Sequence, residues 1–347
     1  MQESYERTWE TRREGGPKGG GRSAGDEARA DYYGVPPIHK SHWNWLIITY
    51  FFCGGLSGAS YAIASIAGLF GDRESRRIAR VGRYLSFAAL LPSPILLILD
   101  LGRPDRFHHM LRVVKVRSPM SVGVWALLLF SGFCSLSAAV QAAQDGLLGR
   151  TGAVGRALQA IPARTVGALG LGSGLALAGY AGPLLAATAV PLWTKNGLMM
   201  GPLFLASSMS SATAAIALIL ALARGTHHTT LARLERLDTL ALLTEGGLLL
   251  ATHLRLGPTI GRPLVRGRLG LIHHIGVLGL GLAAPIVLQS RAVFRGERSS
   301  RPKTMLASIL VLVGGVLFRY VIVTAGNASA SDPRATFELA AGSDPTS

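Results

Sequence analysis

Asp238 and Glu245 lie seven residues apart inside an apolar run, and Thr252 lies seven further on, so the three share one helical face. Carboxylates in a membrane helix are costly and face a cavity or a partner. Glu245 sits deep in its run, which suits a proton relay or an internal ion pair. Arg319, the one basic residue well inside another run, is its natural counter-ion. Asp238 lies nearer a run end, where Arg233 or Arg236 could pair with it.

A second constellation closes one apolar run and opens the next: Leu99-Asp100-Leu101-Gly102-Arg103-Pro104, then Ser118-Pro119-Met120-Ser121. Asp100 at a span end must be hydrated or paired. Arg103 is its nearest partner in sequence, either in a plain loop ion pair or in the charged floor of a surface pocket. A third group is His42-Trp43-Asn44-Trp45. Tryptophans at that depth commonly anchor at headgroups, while His42 and Asn44 have donors for a ring carbonyl such as a quinone's. Tyr180, beside Pro183 in mid-run, needs a hydrogen-bond partner from another helix or from a ligand.

The elements that must hold these residues are membrane helices. The chain has 347 residues, 49% apolar and only 16% charged, against about 25% charged for a soluble protein. Eight runs approach the 20 or so apolar residues that a span needs: 43–70, 84–101, 121–143, 166–190, 197–222, 232–255, 269–290 and 304–325. The expected fold is an all-α integral membrane bundle of eight transmembrane helices. Residues 1–31 read as a disordered polar tail, 32–330 as the membrane domain and 331–347 as a short C-terminal tail. Arg12-Arg13 is followed by no apolar stretch, so the first span must itself direct insertion.

Several function classes fall away. The loops leave no room for a soluble cofactor domain. A net charge of +16 invites a nucleic-acid reading, but the basic residues sit in short loops and lack interleaved stacking aromatics, so headgroups and partner proteins are the expected neighbours. Cys53 and Cys134 have no metal-ligand spacing and read as small apolar fillers. Apart from His253, which is close to one, the histidines lie at run ends or in loops, so no haem pair or metal site is expected. Basic residues divide almost evenly between the two sides, with a small bias that places the termini outside.

Longer stretches carry a resemblance. Trp43-x-Trp45, Tyr50-Phe51-Phe52-Cys53-Gly54-Gly55-Leu56-Ser57-Gly58, Leu101-Gly102-Arg103-Pro104-x-Arg106-Phe107, Ser118-Pro119-Met120-Ser121, Tyr180-x-Gly182-x-Leu184-Leu185, Pro191-Leu192-Trp193 and Gly314-Gly315-x-x-x-Arg319-Tyr320 resemble the NrfD-like family of polysulfide-reductase-type membrane subunits, across residues 33–330. The resemblance implies two four-helix bundles in a bacterial cytoplasmic membrane, without haem, metal or flavin of the protein's own. It implies a menaquinone or ubiquinone substrate and an iron–sulfur, ferredoxin-like partner, with a molybdopterin or cytochrome subunit beyond. By position it assigns quinone contacts to His42, Asn44 and Tyr180, with Arg103 on the same face.

On that reading Asp100 takes a proton, Glu245 serves a deeper relay with Asp238 and Arg319, and Arg106, Arg112, Lys115 and Arg117 dock the acidic partner. The rival is a proton- or ion-translocating module or transporter without a redox role; a passive quinone-binding anchor is a third.

Overall fold

A computed structural model describes residues 43–101, 104–112, 114–115, 117–148, 152–223, 227–294 and 300–341. Those residues form helices and turns, with no strand among them. Seven helices are long and apolar enough to cross a membrane. In chain order the first five are α1 Trp45–Phe70, α2 Ser75–Leu99, α3 Pro119–Gln144, α4 Ala163–Ala186 and α5 Gly197–Leu222. Next comes α6 His228–Ile260, which is 33 residues long but too polar to join that set. Then α7 Gly267–Ser290 and α8 Arg301–Ala330 complete the seven. A short helix follows at Pro333–Ala341.

Local sequence sets the breaks. Proline lacks the N–H that would continue a helix and its ring crowds the preceding turn. Accordingly α2 is interrupted at Leu91, between Ser75–Leu90 and Pro92–Leu99. Near its end α6 kinks at Gly257, whose φ of +71° suits a residue without Cβ, just before Pro258. Lys195 holds that corner, donating to the Leu256 carbonyl at 3.2 Å and pairing with Glu338 at 2.9 Å. The same bond keeps the Glu338 carboxyl below its ordinary value, because the ammonium favours the charged form. Inside α7, residues Ile272–Ala283 wind as a π-helix. Its wider turn rotates successive side chains away from the α-helical positions as the segment packs on α8.

Packing falls into neighbouring groups. Helix α1 packs on α2 and α4, and α3 on α2 and α4; α5 packs on α6 and α8, and α7 on α6 and α8. The seam runs along α5 where it meets α1 and α4, and along α8 where it meets α1. Small residues make close approach possible in lipid, where burial of apolar surface drives little association. At Gly281 and Gly314 the α7 and α8 backbones leave no space for a Cβ. Because successive helices reverse direction, residue 43, the described residues of 100–118, the 187–196 turn and the 261–266 corner share one end of the bundle.

Candidate functional site

That end holds a cavity of about 320 Å³. Trp43, Ile47 and Tyr50 line it from the start of α1, at spacings of four and three that keep them on one face. The end of α2 contributes Leu97, Asp100 and Leu101; α3 contributes Met120, Gly123 and Val124; α4 contributes Tyr180 and Leu184. Its walls are apolar, with three chemically active groups: two phenols and one carboxylate.

The Tyr180 hydroxyl donates to the Pro119 carbonyl, crossing from α4 to the first residue of α3. Gly123 makes room for that ring, since a Cβ there would run into it. Tyr50 is buried, and its hydroxyl has no hydrogen-bond partner among the described residues. Asp100 caps the end of α2 half-buried, and loss of hydration raises its carboxyl above the ordinary value. A carboxylate with a raised pKa is a better proton acceptor near neutral pH. Trp43 is stacked on Trp193 at 5.2 Å and meets Phe51 edge-on at 6.1 Å. Trp193 in turn is fully buried and donates to the Ile322 carbonyl at 3.0 Å. A rigid aromatic wall thus replaces the headgroup anchor expected of Trp43, whereas Trp45 is 68% exposed and suits that role.

The other expected residues fall as follows. His42 and Arg103 lie outside the described residues, as does the side chain of Arg106. Asn44 is exposed and caps α1, its Oδ1 accepting from Leu46 N at 2.9 Å. Arg112, Lys115 and Arg117 are exposed in the loop beside the cavity. The sequence places Trp43 and Tyr50 in the family motif but assigns neither a place at the cavity. Their shared face, Trp43-Ile47-Tyr50, is the available signal.

A second constellation lies inside α5, α6, α7 and α8. Arg319 is fully buried, donating to the carbonyls of Phe51 at 3.2 Å and Gly315 at 2.8 Å and to Ser208 Oγ at 2.9 Å. It sits 5.3 Å from the Phe52 ring centroid. Its guanidinium reaches Ser207 Oγ at 3.4 Å, and Ser210 Oγ donates to Glu245 at 3.1 Å. The expected Arg319–Glu245 pair is therefore relayed through serines rather than made directly. Asp238 pairs with neither Arg233 nor Arg236. It is buried and accepts from Gln289 Nε2 at 2.7 Å, while Gln289 Oε1 accepts from Thr239 at 2.9 Å. Arg233 instead holds Asp72 with two bonds, at 2.8 and 2.9 Å.

A contact between α6 and the start of the π segment adds a further pair. His273 is fully buried, and its ring stacks on His253 of α6 at 5.0 Å. Faces rather than nitrogens oppose, an arrangement unlike two axial ligands of a haem. Among the described residues no three metal-ligating groups converge.

The chain matches the family model described as polysulphide reductase, NrfD, over residues 37–330. It is 28% identical to the C polypeptide of polysulfide reductase from Wolinella succinogenes over 301 residues, covering 82% of this chain and 94% of that one. A shorter stretch of 90 residues is 28% identical to the C polypeptide of selenate reductase from Mesobacillus selenatarsenatis, over 26% of this chain and 20% of that one. Another stretch of 90 residues is 28% identical to the Hdr-like menaquinol oxidoreductase integral membrane subunit of Archaeoglobus fulgidus, over 25% of this chain and 22% of that one. With most of its length inside the family model and seven helices able to cross a bilayer, this chain is a multi-pass integral membrane protein belonging to the NrfD polysulphide reductase family.

Proposed function

We propose that the protein is the quinone- or quinol-binding membrane subunit of a multisubunit oxidoreductase in a bacterial cytoplasmic membrane. It exchanges electrons between the membrane quinone pool and an iron–sulfur partner, beyond which lies a molybdopterin or cytochrome subunit. The observation that carries this reading is the cavity itself, where Asp100 and the Tyr50 hydroxyl stand on apolar walls at the end bearing Arg112, Lys115 and Arg117. Its volume is at the low end for ligand pockets, which run from about 300 Å³ upward. That is room for a ring head, with the isoprenoid tail leaving toward lipid past Leu97 and Met120.

The residues present fit such a head. Quinol oxidation releases two protons and two electrons. Tyr50 offers its unpartnered hydroxyl to one ring oxygen. Tyr180 is held by Pro119, so its oxygen lone pairs face outward as acceptors. Asp100 accepts the two protons in turn and passes each to water at the bundle end. The stacked Trp43–Trp193 pair keeps the α1 face rigid, so these groups wait in place. Exposed Arg112, Lys115 and Arg117 attract an acidic partner close enough for electron exchange. The names of the relatives support this direction: one is a menaquinol oxidoreductase subunit, the others components of reductases.

On this reading α6 crosses the membrane as an eighth span, and its carboxylates face protein rather than lipid. The helices then form two four-helix bundles, α1–α4 and α5–α8. The buried line through Asp238, Glu245 and Arg319 favours a second reading, in which protons also move through α5–α8. Purification in mild detergent tests the main proposal. The expected result is co-purification of an iron–sulfur subunit and extraction of bound quinone. A pure, folded protein that retains neither rejects it, as does bound quinone that cavity variants leave unchanged.

A further inference from the structure

At the opposite end of α1–α4 lies a larger cavity, about 870 Å³, that the redox reading does not use. Arg73, Arg76, Arg80, Arg83 and Arg164 line it, along with two acids, Asp72 and Asp145. Both acids are already saturated. Asp145 accepts from Arg80 Nε at 2.9 Å, Tyr84 at 2.6 Å and Gln141 at 3.1 Å. Asp72 takes two bonds from Arg233 and two from Ser75.

Arg83 makes no direct bond to either carboxylate among the described residues. It is only 7% exposed, yet its one hydrogen-bond partner among the described residues is neutral Gln141, at 2.6 Å. A guanidinium has five donors, and Asp145, the acid whose charge reaches Arg83, meets it only through Gln141, so most of those donors are left open toward the cavity. Arg83 lies two turns inside α2, below the level where the helix begins, so the charge sits at headgroup depth or deeper. Arg73 and Arg76 stand exposed at the rim. Phe70 and Leu147, close to the lining in sequence, are 83% and 70% exposed and suit contact with acyl chains.

We propose that this cavity binds a phosphate oxyanion supplied by the headgroup of an acidic membrane phospholipid, with Arg83 as its buried anchor and Arg73 and Arg76 closing over it. Planar guanidinium forks match phosphate oxygens in pairs. The floor of Gly68, Ala79 and Ala163 leaves space for the glycerol backbone. Free inorganic phosphate shares the same chemistry, and the experiment separates the two.

The full-length protein, purified with whatever subunits accompany it, is incubated with phosphatidylglycerol or phosphatidylcholine of equal acyl length, and native mass spectrometry counts retained lipid. Phosphatidylglycerol should be retained preferentially, and Arg73→Gln/Arg76→Gln should weaken retention by about fivefold per arginine. Arg83→Gln should abolish the preference; should it fail to fold, the exposed double variant decides alone. Neutralising Arg262 and Arg266, exposed at the 261–266 corner of the other end, should leave lipid retention unchanged. Equal retention of the two lipids, full retention by the double variant, or an equal loss in the Arg262/Arg266 control overturns the proposal. Displacement of phosphatidylglycerol by millimolar inorganic phosphate overturns the lipid source.

Discussion

The cavity beside Asp100 and the polar line around Arg319 hold similar chemistry in opposite states. At the cavity, groups are left open: among the described residues the Tyr50 hydroxyl has no hydrogen-bond partner, and half-buried Asp100 has no cation. Around Arg319 every arm of the guanidinium is engaged and the residue is fully sealed. An open donor or acid costs stability but can meet a substrate. A closed network costs function unless it switches, and it holds helices in register. The difference teaches which mutations should strike activity and which should strike folding.

The largest effect should come from closing off the sealed region's compensation. Arg319→Met leaves Glu245 buried with only serine partners and strips donors from two backbone carbonyls. Removing one partner of a buried charged network costs roughly 3–5 kcal/mol. The variant should give little folded protein, measured as yield and melting temperature in detergent. Adding Glu245→Gln should recover part of the loss, since a neutral side chain needs no counter-charge. A single variant that melts like the parent would break the comparison outright.

Much of this architecture is legible in the apolar runs, and the failures have physical causes. The second apolar run starts at 84, but helix α2 starts at Ser75. Arg76, Arg77, Arg80 and Arg83 hide its first turns, because an amphipathic start in the headgroup zone does not look like a span. The run at 232–255 does become α6, yet its polar face keeps the helix out of the set apolar enough to span on composition alone. Asp100 and Tyr180 can be named from sequence because a carboxylate or phenol in an apolar run calls for a partner. Tyr50 cannot, since its neighbours come from other helices brought together only by packing. The stacked histidines escape because they lie on different helices, α6 and α7, that only packing brings together.

The open region gives the next effect in size. Asp100→Asn should lower quinol turnover by about a hundredfold, the scale of a lost general base. Its melting temperature should hold or rise slightly. The sign follows from burial: the raised Asp100 pKa means that ionisation is harder in the folded state, so the charged form subtracts stability as pH rises through that value, and Asn removes this contribution. Turnover in the parent should fall as pH drops through the raised pKa, and the variant should lose that limb. Unchanged turnover in assembled complex rejects the role. Tyr50→Phe is milder: one lost hydrogen bond is worth about 1 kcal/mol, so half-saturation for quinol should rise roughly fivefold with assembly intact.

The smallest effect belongs to the pair that has the same chemistry as the sealed region but sits in water. Asp72 and Arg233 tie the α1–α2 turn to α6 through two bonds, and both are about half-exposed. Exposed pairs contribute little, because solvent screens the attraction and two long side chains must be ordered. The Arg233 guanidinium holds the Asp72 carboxyl well below its ordinary range. A depressed carboxyl pKa adds stability above the unfolded value and loses it as pH falls through the folded one. Asp72→Asn should therefore leave melting near pH 7 almost unchanged, flatten its decline in acid, and make it insensitive to salt where the parent responds. A loss as large as that of Arg319→Met would mean that exposure does not separate strong networks from weak ones in this molecule, and the contrast between its two regions would have to rest on something other than solvent.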